Sequence, residues 1–255
     1  MNTSLDLARY LSRIHYVGPL DPTAATLRAI HQAHMMSVPF ENLEINPLGL
    51  VPSLDPDDLF DKIVNQRRGG FCYELNGLFS LLLRELGFDV TLVSARVENG
   101  PSGWGPEFDH LALIVQLDER YLADVGFGSS FNAPLRLDYD GEQSDDGRGY
   151  QITRDGEVWM MSEHLPGEDW KGQYIFTLAP RDLADFAEMC RRQATTPGGY
   201  FVTSAICSRT TLEGRITLRD LKLTITQNGT KIEHELADDS ERNAVLREHF
   251  GIALV

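Results

Sequence analysis

Cysteine is scarce in this 255-residue chain: Cys72, Cys190 and Cys207 are all there is. Three cysteines so far apart make neither a disulfide framework nor a C-x-x-C metal site, and the odd count leaves at least one thiol unpaired within the chain. Basic residues are in deficit too, with 23 Lys and Arg against 38 Asp and Glu and a formal charge of −15. Such a surface repels phosphate backbones and anionic lipid, so neither nucleic acid nor a membrane surface is expected as a partner. A local basic pocket for a small anion stays open. Long apolar runs are missing: residues 111–115 form the longest of note, far short of the ~20 a spanning helix needs. Residues 1–6 have neither a basic stretch nor an apolar core, and no secretory leader is expected. Also absent are H-E-x-x-H, clustered metal ligands, a dinucleotide G-x-G-x-x-G and a Walker A loop. The composition reads as a soluble, cytoplasmic protein with no metal.

What is present is a hydrophobic share of 42%, enough for one large domain or two to three small ones. Its periodicity is helical up to Gly87. Leu7, Tyr10, Leu11 and Ile14 recur at helical spacing after Thr3-Ser4, which can cap. Asp21-Pro22 opens a second helix with Leu27, Ile30 and His34, stopping before Pro39. Asp55-Pro56 opens a third, carrying Leu59, Phe60 and Ile63, that breaks at Arg68-Gly69-Gly70. The fourth spans about 71–86, with a wide apolar stripe, and ends at Gly87. Strand-like runs follow at 90–97, 111–117, 121–127, 150–153, 158–161 and 174–178, while the polar stretch 141–149 reads as a loop. Pro180 opens a helix to about Arg192. The tail offers strands at 216–218, 221–226 and 232–236, with a hairpin turn at Asn228-Gly229, then a helix from about Ser240 to Gly251. Helices, then strands, then a mixed tail give an α+β chain.

The chemistry centres on Cys72. Arg68-Gly69-Gly70 delivers it into the first turn of a helix, where free amides and the positive dipole end favour a thiolate. The plainer reading is a small buried hydrophobe, and Cys190 and Cys207 keep that reading. A catalytic thiol needs a base and an orienting acceptor. Of seven histidines, His15, His31, His34 and His249 sit on or beside amphipathic helices as surface or packing residues, and His164 and His234 lack an obvious partner. His110 opens the apolar run 111–117. Asp124 is the only charge in the apolar segment 121–128, where an acid needs a buried donor; the alternative is a strand-end residue capping local amides. A tight hairpin through Asp118-Glu119 places Asp124 opposite residues 113–114. That is three to four residues from His110, about 10–13 Å along a strand. A bulge, twist or curled barrel would have to close the gap. The segment Gly126-Phe127-Gly128-Ser129-Ser130 reads as a turn, or as backbone able to approach a ligand phosphate or pantetheine arm.

Four segments together resemble the arylamine N-acetyltransferase family: 34–43 (HMMSVPFENL), 68–77 (RGGFCYELNG), Asp109-His110-Leu111 and 122–128 (LADVGFG). They span about residues 1–135 in the family's order, and the cysteine segment is very specific. Arg209-Thr210-Thr211-x-x-Gly214-Arg215-x-Thr217-Leu218 also fits, whereas residues 196–201 stand where the family has a serine-rich turn before an aromatic. The resemblance implies a helical bundle (1–88) carrying the nucleophile, a central β-barrel (89–180) carrying His and Asp, and a linking helix with an α/β lid (181–255). It implies a triad as in cysteine-protease-like folds, with Cys72 as acyl acceptor, His110 as base and Asp124 as orienter. Phe40, Phe127 and Phe201 would line an aromatic acceptor pocket, and Gly126, Gly128 and Ser129 would meet the cofactor. Acetyl-CoA would be the donor, and arylamines, arylhydrazines or N-arylhydroxylamines the acceptors, in ping-pong order. Arg67 or Arg68 would pair with acids around the site. Rival readings are an amide synthase acting on a polyketide acyl chain, a Cys-His-Asp hydrolase, and a silent binding protein with a packed thiol.

Overall fold

The structure, a computed structural model, describes residues 5–145 and 147–254. Helix α1 (Leu7–Arg13) starts at Asp6, whose carboxylate accepts the Arg9 amide; Thr3 and Ser4, the expected cap, lie outside the described residues. Helix α2 (Ala24–Ser37) is capped by the Thr23 hydroxyl, two residues past the expected Asp21. Helix α3 (Pro56–Phe60) begins at Asp55 and runs on through a π turn, Asp61–Asn65. Helix α4 (Cys72–Glu85) lies in the middle of this layer and ends ahead of Gly87, whose φ is +87°. Its Leu75, Leu78, Phe79, Leu82 and Leu83 are fully buried, each contributing about 1.5–3 kcal/mol by leaving water.

The second layer is an eight-stranded antiparallel sheet. Its strands are β2 (Asp89–Val97), β3 (His110–Gln116), β4 (Arg120–Ala123), β5 (Leu135–Arg136), β6 (Gln143–Asp145), β7 (Arg148–Asp155), β8 (Val158–His164) and β9 (Lys171–Phe176). Their order, β5-β4-β3-β2-β9-β8-β7-β6, curls into a nearly closed barrel. The two end strands meet through one side chain: the Gln143 amide donates to Arg136 O at 2.9 Å and accepts the Arg136 N–H at 2.7 Å. Residues 111–115 form a continuous apolar run because β3 is buried on both faces: Leu111, Leu113 and Val115 join the core around α4, while Ala112 and Ile114 join the barrel core. Two expectations fail here. The stretch 141–149 is not a loop but holds β6 and the start of β7, its polarity being that of a part-exposed edge strand; Asp146 within it lies outside the described residues. The strand expected over 121–127 leaves the sheet after Ala123, so Asp124 begins a long connection.

Past the barrel, a 3-10 turn (Leu183–Phe186) leads to α5 (Ala187–Thr195) and α6 (Tyr200–Thr203). The chain then forms β10 (Ile206–Thr211), β11 (Gly214–Arg219), β12 (Lys222–Gln227) and β13 (Thr230–Glu235). Asn228 and Gly229 both have positive φ, as a two-residue hairpin turn requires. Strand β1 (Phe40–Glu41) joins β10 at the other edge of this antiparallel sheet, with Phe40 opposite Ser208 and Glu41 opposite Cys207. Helix α7 (Asp239–Val245) and its π turn (Leu246–Phe250) cover the sheet with Leu246 and Phe250. Among the described residues no helix is long and apolar enough to cross a membrane.

Candidate active site

The turn before Cys72 is held from all sides. A Cβ on Gly69 would run into Pro39 O, so glycine is required there. The buried Glu41 carboxylate accepts the Gly69 amide at 3.2 Å and the Leu43 amide at 2.7 Å, and it pairs with Arg68 at 2.8 Å. Arg68 thus pairs with an acid, as expected. Buried Arg13 donates to the carbonyls of Ile63, Arg67 and Arg68. Glu74, in the first turn of α4, accepts the Phe71 amide at 3.1 Å and pairs with Lys62 at 2.6 Å, and Lys62 also meets Glu44 at 2.8 Å. Cys72 therefore sits at a helix start whose entry angle is fixed by buried charge pairs.

His110 and Asp124 meet: the His110 Nε2–H donates to Asp124 Oδ2 at 2.7 Å. The hairpin closes through three residues, 117–119, rather than two, which shifts its register by one. Leu113 pairs with Ala123, so Asp124, just past the end of β4, comes level with Ala112, two residues from His110. Three other residues complete the carboxylate's shell. Asn76 donates to Oδ1 at 2.8 Å and the Gly126 amide reaches it at 2.9 Å, while the Tyr174 hydroxyl donates to Oδ2 at 3.1 Å. Burial opposes the charge on Asp124, but His110 together with the Asn76 and Gly126 hydrogen bonds outweighs it and holds the carboxyl below its usual range. Asn76 also donates to Leu111 O and accepts the Val125 amide, so its orientation is fixed. Its place one helical turn after Cys72 was a usable signal, because i and i+4 share a face; Tyr174 carried no such mark.

His31 is more than a packing residue. Its Nδ1–H donates to Asn132 O at 2.8 Å, leaving Nε2 to accept the Asp124 amide at 3.3 Å. Burial pushes this imidazole down to about 4, against hydrogen bonds and the Asp124 charge that pull the other way. A histidine depressed in the folded state withdraws stability as pH falls from its unfolded value, 6.5, toward 4. Relative to His31→Asn, the wild type should lose about 3 kcal/mol over that window. Urea titrations at several pH values read this directly, and parallel curves for the two proteins would contradict it.

A cavity of about 760 Å³ opens onto Cys72 and His110. The remaining residues singled out from the sequence, Phe40, Phe127, Phe201, Gly126, Gly128 and Ser129, also line it, and Asp124 stands behind His110. Phe127 packs edge-on against His110, centroids 5.1 Å apart, and Phe201 lies 6.3 Å from Phe40. The rim carries Arg192 and Arg219 together with Glu98 and Asp109. The expected fall of the Cys72 pKa is not what the fold produces: burial pushes the thiol up, and the Asp124 carboxylate adds to it. Among the described residues no group of three His, Cys, Asp or Glu side chains is placed to hold a metal.

Gly126 is tied to this geometry by space. A Cβ there would sit 2.8 Å from Cys72 Cα and 2.8 Å from Asn76 Nδ2. Gly126→Ala should therefore push the loop off α4, lowering stability by about 1–3 kcal/mol and activity more than tenfold. Denaturant midpoints and steady-state rates check the two effects.

Comparison with known proteins places these features in context. A family model described as N-acetyltransferase matches residues 23–255. The arylamine N-acetyltransferase of Mycolicibacterium smegmatis is 37% identical, over 98% of this chain and 93% of that protein. The arylamine N-acetyltransferase / N-hydroxyarylamine O-acetyltransferase of Salmonella typhimurium is 32% identical, over 97% and 89%. The Mycobacterium marinum arylamine N-acetyltransferase, solved in complex with CoA, superposes with a TM-score of 0.89 at 33% identity, covering 97% of this chain and 93% of that one.

Proposed function

The chain belongs to the arylamine N-acetyltransferase family and is an acetyltransferase, and on that premise we propose that Cys72, His110 and Asp124 carry acetyl from acetyl-CoA to aromatic nitrogen nucleophiles in two half-reactions. The observation that carries the reading is the 2.7 Å His110–Asp124 contact beside Cys72 on the wall of one cavity. Because Nε2–H is engaged by Asp124, Nδ1 is left as the basic nitrogen. Cys72 gives its proton to His110 Nδ1, and the resulting ion pair offsets the burial cost that keeps the free thiol protonated. The thiolate attacks the thioester carbonyl, and first-turn amides of α4 stabilise the oxyanion. CoA departs with the proton from His110, leaving acetyl on Cys72. The acceptor nitrogen then attacks that carbonyl; its proton passes to His110 as the Cys72 thiolate leaves.

Arylamines, arylhydrazines and N-arylhydroxylamines fit this second step, stacking against Phe40, Phe127 and Phe201. The backbone at Gly126, Gly128 and Ser129 takes the pantetheine arm. In an acidic protein, Arg192 and Arg219 on the rim are the cations suited to CoA phosphates. Working as a free thiol, with Cys190 and Cys207 also unpaired, the enzyme suits a reducing cytoplasm. Intact mass after acetyl-CoA without acceptor tests the reading. One acetyl group should appear on the protein with a matching burst of free CoA; no adduct and no burst would overturn it.

A further inference from the structure

The segment Arg209–Thr217 resembles the family's pattern, yet it plays no part in the steps above. The reason for its residues lies in the connection between β4 and β5, residues 124–134. Three carbonyls of that connection are each held by a different part of the molecule. Arg215 Nη1 donates to Gly128 O at 2.6 Å, Arg148 Nη1 to Ser129 O at 3.2 Å, and His31 Nδ1 to Asn132 O at 2.8 Å. The Arg215 fork is itself braced: Nη2 donates to Thr210 Oγ1 at 2.9 Å and Nη1 also reaches Ser208 Oγ at 3.3 Å. The Thr210 hydroxyl passes the chain on, donating to Asn132 Oδ1 at 2.9 Å. Arg215 and Thr210 are cross-strand partners in the β10–β11 hairpin. Gly214 beside them has φ +147°, and a Cβ there would meet Thr226 O, so the hairpin's approach is fixed by a residue that must be glycine.

Gly128, with φ +75°, has little steric resistance to a peptide swing. What keeps its carbonyl in place is the guanidinium. Just before it, Phe127 leans on His110 and Tyr174, with centroids 5.1 and 4.9 Å away. The stretch 126–129 is a wall of the cavity. Asp124, by contrast, is secured by Asn76, Tyr174 and the Gly126 amide, none of which depends on Arg215.

We propose that Arg215 is a positioning residue: through it and Thr210 the C-terminal sheet sets the cavity wall at 127–129 against which the acetyl donor binds, without entering the proton chemistry. This rests on the acetyl-transfer reading. Losing a charge-assisted hydrogen bond that shapes a binding wall, Arg215→Ala should raise KM for acetyl-CoA about tenfold or more while changing kcat less. The pH profile of Cys72 alkylation by iodoacetamide should stay where it is, since His110 and Asp124 are untouched. Added guanidinium should restore part of the loss, and Arg215→Lys should fall between wild type and alanine. Hydrogen exchange in a peptide covering 125–134 should quicken. An unchanged KM, or a KM rise that comes with a shifted alkylation profile, overturns the proposal, as does quickened exchange with no KM change. If Arg215→Ala does not fold, Thr210→Val takes its place, and the same KM and alkylation results support or overturn the proposal. If wild type takes up no acetyl on Cys72, the acetyl-transfer reading fails by itself, and the exchange arm still decides whether Arg215 holds the loop.

Discussion

Alanine at position 72 should end acetyl transfer, with the rate falling to the uncatalysed background, a loss on the order of 10⁶-fold. The expectation follows from what alanine removes. In the proposed mechanism the sulfur is the acyl acceptor, so without it the first half-reaction has no product, and no other thiol is placed to stand in. Cys190 and Cys207 are both buried outside the cavity lining; burial pushes the Cys190 thiol up to about 12, and burial likewise raises Cys207. The fold should tolerate the change, because Cys72 is 5% exposed and losing one sulfur costs about 1 kcal/mol. Mass spectrometry after acetyl-CoA should show one acetyl group on wild type and on a Cys190→Ala/Cys207→Ala protein, and none on Cys72→Ala. An adduct persisting on Cys72→Ala would place the acyl group elsewhere and sink the proposed mechanism.

The features legible in the sequence are those set by local rules. The α4 stripe, the stop at Gly87 and the Asn228-Gly229 hairpin each depend on residues within a turn or two, and the structure has them where spacing puts them. Strand β1 has two residues and no periodicity; it exists because Glu41, committed to Arg68 and Gly69, lies opposite Cys207 across a separation of more than a hundred residues. Strand β6 is hidden by its polarity, which comes from lying at the barrel's edge. His31 looks like any histidine on an amphipathic helix, because its role depends on a loop ninety residues away passing beside it. The direction of the thiol's pKa departs from expectation for a related reason. The helix start is a local feature, whereas the desolvation that outweighs it comes from the assembled core. The acid is legible because a charge in an apolar strand demands a partner, but its distance from His110 turns on where the hairpin closes.

The second large effect concerns that acid. Asp124→Asn should lower kcat/KM by about three to four orders of magnitude, while Asp109→Asn should cost less than about tenfold. Asp124 receives only donors: Asn76 and Gly126 on one oxygen, His110 and Tyr174 on the other. An asparagine has one carbonyl and one amide group to offer this shell. The Asn76 amide cannot turn without losing Leu111 O and the Val125 amide, and the Gly126 N–H is backbone, so the new carbonyl must face them. The new N–H₂ then faces His110, forcing Nε2 to become an acceptor and moving the ring proton to Nδ1, the nitrogen needed as base. The imidazolium also loses the carboxylate that stabilises it. Asp109 stands differently: it lies on the cavity wall, half-buried, with its carboxylate accepting from Gln193 at 3.0 Å. Burial raises its pKa, and a neutral amide there keeps an acceptor for Gln193. Steady-state rates of the two variants decide the matter, read with the pH dependence of Cys72 alkylation, which only Asp124→Asn should alter. Equal losses would mean that Asp124 is not the orienting acid, since the tautomer argument applies to one carboxylate and not the other.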